Sequence, residues 1–113
     1  MSARGEARLW VVQRATAVVL AFCVFVHLAT IIYAVRGGLS AAEILARTRG
    51  SLAWGGFYAM FVLAAAAHGS IGVRAIAMEW LGWNKAWAYR VMLAVAIVSA
   101  LLGLRAVYAV VAA

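Results

Sequence analysis

The sequence predicts an all-α membrane protein with three transmembrane helices and a short surface helix in the first loop. Of its 113 residues, 69% are hydrophobic, 12% are charged and none is proline, whereas a soluble domain carries about twice that charge. Three apolar runs, at 9–35, 52–73 and 91–113, contain at most one charged residue each. Each run reaches the roughly 20 residues that a helix needs to cross the hydrocarbon core of a bilayer.

The first transmembrane helix is expected at about residues 10–35, after a polar head formed by residues 1–8. Its apolar run is longer than the roughly 7–15-residue core of a secretory signal, so we expect the helix to be retained. The pair Gly37 and Gly38 ends it. Cys23 is the one cysteine, which excludes an internal disulfide and a Cys-x-x-Cys-His site for covalent haem attachment.

The first loop contains a segment, residues 39–50, that is too polar to span a membrane. Ser40 is followed three residues later by Glu43, which is the pattern of a capping box. We therefore expect a short helix on the membrane surface, ended by Gly50.

The second and third transmembrane helices are expected at about residues 52–79 and 86–112. The turn between them contains the aromatic residues typical of a membrane interface, namely Trp80, Trp83, Trp87 and Tyr89. No internal repeat or linker divides the chain. Residues 1–113 are therefore predicted to form a single membrane-anchor domain.

The net charge of +7 does not indicate nucleic-acid binding, because the basic residues are spread over loops and helix ends and form no patch. In a membrane protein they report orientation, since cytoplasmic loops carry the excess of lysine and arginine. Six lie on one side (Arg4, Arg8, Arg14, Arg74, Lys85 and Arg90) and four on the other (Arg36, Arg47, Arg49 and Arg105). This bias predicts an inside amino terminus and an outside carboxy terminus.

The two histidines, His27 and His68, each lie within a spanning helix. Ionisable groups at membrane depth are costly and usually face a bundle interior, a cofactor or a partner. One interpretation is a neutral imidazole bonded to a neighbouring helix, and the other is ligation of haem iron. A zinc site would need three or four clustered ligands, which this sequence does not offer.

The depths of the two histidines predict that they do not share one iron. At 1.5 Å per residue, His27 lies roughly 5 Å to the outer side of the midpoint of its helix and His68 roughly 5 Å to the inner side. Two axial ligands of one haem must face each other at the same depth. Each histidine is therefore predicted to ligate a different haem, with the second ligand supplied by a partner chain.

The neighbours of the histidines are compatible with a cofactor. A small and polar stripe on the first helix is predicted to face protein or cofactor, and comprises Thr16, Leu20, Cys23, His27, Thr30 and Ala34. On the second helix, Gly72 is one turn from His68, which allows either close approach of another helix or room for a flat macrocycle. Arg74 could pair with a haem propionate or be an ordinary interfacial arginine.

Two segments, "LWVVQRATAVVLAFCVFVHLATI" (9–31) and "HGSIGVRAIAMEW" (68–80), resemble the cytochrome b membrane anchors of succinate dehydrogenase and fumarate reductase. The similarity is closest to the two-haem fumarate reductase type and covers roughly residues 9–83. The positions that match the family pattern are Gln13, Thr16, His27, His68, Gly69, Ser70, Gly72, Arg74 and Trp80. The sequence departs from it at Ala17, where glycine is common, and has no carboxylate in the membrane interior.

The resemblance implies a set of cofactors and site residues. His27 and His68 would be axial ligands of two b haems, with Gly72 and Arg74 beside the cofactor. Quinone would bind near the start of the first helix, where Arg14 and Thr16 match the family and Trp10 is a further candidate. The alternative for these three residues is a role as interfacial anchors.

The resemblance also implies partners. A flavoprotein and an iron–sulfur subunit would dock on the inner face of the inner (cytoplasmic) membrane, while membrane lipid surrounds the helices. Single-chain anchors of the family have five helices and four ligating histidines, so a second anchor chain, related to this one or a second copy, is expected here. The chain itself would be non-catalytic and would pass electrons between iron–sulfur clusters and quinone.

Three alternatives remain open at this point. The chain could be a membrane anchor without haem, or a small structural or assembly subunit of another respiratory complex. A small transporter is disfavoured, because coupled transport usually uses a buried charge and the membrane interior of this chain has no carboxylate.

Overall fold

The computed structural model describes all 113 residues and contains four helices, α1 (Ala3–Arg36), α2 (Ala41–Thr48), α3 (Leu52–Trp80) and α4 (Lys85–Val111). Helices α1, α3 and α4 are long and apolar enough to cross a membrane, and α2 is the short helix of the first loop. The predicted fold class is therefore confirmed. The predicted bounds of the second and third spans differ from α3 and α4 by one residue at most.

Helix α1 begins at Ala3, seven residues before the predicted start of the first span, so the polar head at residues 1–8 is helical from Ala3 onwards. Ser2 is the N-cap, and its hydroxyl accepts the backbone N–H of Gly5 at 3.1 Å. Glu6 lies in the first turn, where a negative charge interacts favourably with the helix dipole and stabilises the helix. These local signals start the helix outside the apolar run.

Helix α1 ends at the predicted glycine pair. The N–H of Leu39 donates to the carbonyl of Ala34 at 3.0 Å, and the N–H of Gly38 donates to Val35 at 3.2 Å. Gly38 has a φ of +65°, a left-handed conformation that glycine adopts without steric cost. These are the bonds of a Schellman motif, which turns the chain towards α2.

Helix α2 begins with the predicted capping box and is fastened to the end of α4. The Ser40 hydroxyl accepts the N–H of Glu43, and the Glu43 carboxylate accepts the N–H of Ser40, both at 3.2 Å. At the other end of α2, the Thr48 hydroxyl donates to the carbonyl of Val110 at 2.6 Å. The N–H of Gly50 donates to the carbonyl of Val111 at 2.8 Å.

Helix α3 is the central element, because it packs against both α1 and α4. It contributes six of the ten buried residues of the chain, which are Ala64, Ala66, Ser70, Ile71, Arg74 and Ala77. On α4, a Cβ added to Gly103 would overlap the side chain of Val62. Small side chains therefore set the close contacts of α3 with its two neighbours.

Candidate functional site

The histidine of α3 contacts α1 through one side chain. His68 Nδ1 lies 3.2 Å from the hydroxyl oxygen of Thr16. This is the one hydrogen bond of the ring within the chain, so His68 Nε2 has no protein partner. The bond joins the apolar helices α1 and α3 at the position of His68.

The two glycines that follow His68 do not serve close packing within the chain. A Cβ added to Gly69 would have no heavy atom within 4 Å, and one added to Gly72 would lie 3.7 Å from Nε2 of Gln13. The second distance is an ordinary van der Waals contact. The space beside His68 is therefore open to a flat ligand or to another chain.

Arg74 lies six residues beyond His68 and is 6% exposed. Its guanidinium forms an ion pair with Glu6 from the first turn of α1, and its Nε is buried without a partner. The ion pair joins α1 and α3 at the end of the bundle that carries the amino terminus, called the amino-terminal end below. The Nε–H of Arg74 is therefore left without an acceptor in the chain.

Glu6 is a residue that the sequence reasoning missed. Because the first helix was predicted to start at about residue 10, Glu6 belonged to the polar head and had no predicted partner. Ser2 is the signal that could have located Glu6, because a serine at this position is a typical N-cap and starts the helix at Ala3. A helix that begins there runs antiparallel to α3 beyond the contact of Thr16 with His68.

A cleft of about 540 Å³ lies between α1 and α3 at the amino-terminal end. Its polar lining consists of Glu6, Gln13, Arg74 and Glu79, and its apolar lining includes Trp10 and Ile71. Gln13 Oε1 is buried without a hydrogen-bond partner. The cleft therefore combines apolar walls with an unpaired acceptor on Gln13 and an unpaired donor on Arg74.

The structure separates the three residues predicted to contact quinone. Trp10 lines the cleft, and the guanidinium carbon of Arg14 lies 5.3 Å from the centre of the Trp10 ring, within cation–π range. Thr16 is not part of the cleft lining and contacts His68 instead.

His27 lies in the other half of the bundle, in an aromatic environment. Its ring makes edge contacts with Tyr58 at 5.8 Å and with Phe61 at 5.6 Å between centroids. His27 Nδ1 is buried without a hydrogen-bond partner. Two cavities of about 270 and 300 Å³ adjoin the ring, and α2 contributes Ile44 and Thr48 to both.

The two histidines lie at different levels and do not form one site. His27 is level with Phe61, which precedes His68 by seven residues or roughly 10 Å of helix. Thr16 is level with His68 and precedes His27 by eleven residues or roughly 16 Å. No group of three or more His, Cys, Asp or Glu side chains is close enough to hold a metal ion. A haem with two axial histidines would thus require a ligand from another chain.

The predicted protein-facing stripe of α1 is confirmed. All six of its residues are buried or half-buried, and Cys23 is fully enclosed. Trp10 and Arg14, in contrast, are exposed on the surface of α1. The stripe faces α3, so the polar contacts of Thr16 and His27 lie within the helix pair.

Comparison with known proteins identifies one family. The model of the succinate dehydrogenase/fumarate reductase transmembrane subunit matches residues 1–104. No curated protein and no solved structure matches the chain. Because the match extends over nearly the whole length, through all three spanning helices, the chain belongs to the family of succinate dehydrogenase/fumarate reductase transmembrane subunits.

Proposed function

We propose that this chain is a haem b-binding anchor and that His68 supplies one axial ligand through Nε2. The proposal rests on the orientation of the His68 ring. Its Nδ1 is hydrogen-bonded to Thr16, and its Nε2 has no partner, beside Gly69, whose added Cβ would meet no atom within 4 Å. Imidazole nitrogen is a common ligand of haem iron. A haem bound there supplies a one-electron carrier between iron–sulfur clusters and membrane quinone.

The second axial ligand comes from another chain, either a second copy or a related anchor. The only other histidine of the chain is His27, and it lies at a different level in the bundle from His68. A twofold axis along the membrane normal would place each histidine opposite its copy. His27 would then ligate a second haem in the opposite half of the bundle, and its unpartnered Nδ1 would donate a hydrogen bond to an acceptor of the completed site.

Arg74 and Gly72 lie beside the proposed haem. The unpartnered Nε of Arg74 gives the guanidinium a free donor for a propionate in addition to its pair with Glu6. Gly72 leaves the surface of α3 flat next to Gln13. Both residues follow His68 towards the amino-terminal end, where the carboxylates of a haem would reach polar surroundings.

Quinone is proposed to bind in the cleft at the amino-terminal end. Its apolar walls suit a hydrophobic ring, and the unpaired Gln13 Oε1 offers an acceptor for a hydroxyl of the reduced quinol. Trp10 forms one wall, and Arg14 lies over it at the exposed edge. This arrangement supports Trp10 as a quinone contact, whereas Arg14 lies outside the cleft lining and contacts Trp10, and Thr16 contacts His68.

The amino-terminal end is proposed to face the cytoplasm and to receive the flavoprotein and iron–sulfur subunits. The family match implies such partners, and the excess of basic residues at this end agrees with the positive-inside rule. Trp80 is 81% exposed there and, with Trp83 and Trp87, offers an aromatic surface for docking.

One observation favours a second candidate, an anchor of the same complex without haem. The ion pair with Glu6 already neutralises Arg74, so the arginine does not need a propionate to be tolerated in its buried position. Such a chain would keep the quinone cleft and the docking surface.

Reduced-minus-oxidised absorption spectra of membranes that contain the assembled complex distinguish the two candidates. We expect b-type bands in the wild type, loss of the band of one haem in His68→Ala, and loss of a different haem in His27→Ala. Ser99→Ala is the control, because the Ser99 hydroxyl bonds only carbonyls of its own helix, α4. Absence of b-type bands in the wild type would contradict haem binding and favour the anchor without haem. An unchanged spectrum in His68→Ala would contradict ligation by His68.

A further inference from the structure

We infer that Thr16 is a positioning residue for His68, because its hydroxyl accepts the Nδ1 hydrogen and selects the tautomer that leaves Nε2 free. The inference rests on the proposed haem function and assigns Thr16 a role other than contact with quinone. It concerns how the imidazole is held and how strongly it donates to iron.

A count of hydrogens fixes the direction of the bond. A threonine hydroxyl has one hydrogen and two lone pairs. Thr16 Oγ1 lies 2.7 Å from the carbonyl oxygen of Val12 and 3.1 Å from that of Gln13, and carbonyl oxygens only accept. The hydroxyl hydrogen is therefore directed to the backbone of α1, so Oγ1 accepts a hydrogen from His68 Nδ1 at 3.2 Å.

The tautomer follows from that direction. A neutral imidazole has one N–H and one nitrogen that bears a lone pair. With the hydrogen on Nδ1, the lone pair of His68 is on Nε2, which has no partner in the chain. This is the state in which an imidazole binds a metal, with its other nitrogen oriented by a hydrogen bond.

The acceptor is held by the backbone and by the shape of threonine. The hydroxyl is bonded to the preceding turn of α1, and branching at Cβ restricts the rotation of the side chain. Ser70 does not compete for the ring, because its hydroxyl is bonded to the carbonyl of Ala67 on α3. Thr16 is thus the one hydroxyl that sets the orientation of His68.

This hydrogen bond has a measurable chemical consequence. A hydrogen bond from the outer nitrogen of a ligating histidine raises the basicity of the ligand and fixes the plane of its ring. A more basic ligand stabilises oxidised iron, so loss of the bond is expected to raise the midpoint potential of the haem. Loss of such a contact typically lowers metal affinity by about 10–100-fold.

Redox titration of the intact complex tests the inference. Thr16→Val removes the hydroxyl with little change of shape, Thr16→Ser retains it, and Thr16→Cys replaces it with a weak acceptor. We expect a higher midpoint potential and about tenfold or greater loss of haem affinity in Thr16→Val, a smaller shift in Thr16→Cys, and near wild-type values in Thr16→Ser. Ser99→Ala is the control, since it removes a hydroxyl that bonds only carbonyls of its own helix, α4.

The outcomes separate this inference from the proposed function. A b haem that depends on His68, with potential and affinity unchanged in Thr16→Val and Thr16→Cys, overturns the role of Thr16 and leaves the proposed function intact. Absence of any b haem in the wild type removes the proposed function and the inference with it. If Thr16→Ser assembles and both other variants do not, the hydroxyl serves folding and the positioning role is rejected.

Discussion

At the scale of single residues, polar contacts between α1 and α3 fix how these two apolar helices pair. Glu6 binds Arg74 near one end of the contact, and Thr16 binds His68 further along it. Apolar side chains in a membrane provide little discrimination between registers, because lipid is as apolar as the neighbouring helix. These two contacts therefore determine which α3 residues face which part of α1.

Removal of Glu6 is expected to destabilise the chain. Glu6→Ala leaves Arg74 buried without its carboxylate, and an unpaired buried charged group costs at least about 1–3 kcal/mol. Thermal unfolding of the complex in detergent measures the loss. Glu79→Ala is the control, because Glu79 is exposed and has no ion-pair partner, and equal effects of the two substitutions would contradict the role of the pair.

Gly69 provides a second prediction at this scale. Within the chain a methyl group at Gly69 meets no atom within 4 Å, so Gly69→Ala is expected to leave the stability of the chain unchanged and to lower haem content. Gly56→Ala is the matched control on the same helix, because its added Cβ also meets open space. Full haem content in Gly69→Ala, measured per assembled complex, would show that this face of α3 is not adjacent to the cofactor.

The sequence identified part of this site and missed part of it. His68 and Arg74 were predictable because a histidine and an arginine stand out in an apolar helix. The contact of Thr16 with His68 was not, since it depends on the register of two helices that are far apart in the chain. Glu6 was missed because hydrophobicity marks where a chain enters the membrane and not where a helix begins.

At the scale of elements, the long helices follow the apolar runs and their ends follow local signals. Gly38 at the end of α1 and the Ser40–Glu43 capping box were predictable from a few residues each. The attachment of α2 to α4 through Thr48 was not predictable, because it joins residues separated by about sixty positions.

The capping box makes the start of α2 sensitive to acid. Hydrogen bonds from the backbone N–H of Ser40 and then from its side chain hold the pKa of Glu43 below its ordinary value of 4.5. Since the pKa is lower in the folded state, the stabilisation is present above pH 4.5 and is lost as the pH falls through the folded pKa. The protection factors of the amides at the start of α2, which correct for the intrinsic pH dependence of hydrogen exchange, should fall over that range.

Glu43→Gln is the control for this pH dependence, because glutamine retains an acceptor for the Ser40 N–H and does not titrate. The protection factors at the start of α2 in this variant are expected not to fall in acid, while those in Ser40→Ala are expected to be low at all pH values. An identical pH profile in wild type and Glu43→Gln would contradict the assignment.

The contact between α3 and α4 depends on Gly103. Gly103→Ala places a methyl group against the branched side chain of Val62, and overpacking of this kind costs about 1–3 kcal/mol. We expect a lower melting temperature for the complex than with Gly56→Ala, which adds the same methyl group in open space. Equal melting temperatures would contradict the requirement for a glycine at the contact between α3 and α4.

At the scale of the whole molecule, most of the helix surface is uncovered within the chain. Three long helices with α3 at the centre leave all but ten residues at least partly exposed, so lipid and other chains must cover their apolar surfaces. His68 Nε2 has no partner in the chain, and the other histidine, His27, lies at a different level. Length and hydropathy were sufficient to predict the three spans, because each span is set by a continuous apolar run.

Imidazole rescue tests the central claim, ligation of haem by His68, most directly. The measurement is the haem content of the purified complex that carries His68→Gly, with and without added imidazole, beside the wild type. The account predicts that the variant loses the haem and that free imidazole, by occupying the position of the deleted ring, restores it. Haem content in His68→Gly equal to that of the wild type without imidazole would contradict the account.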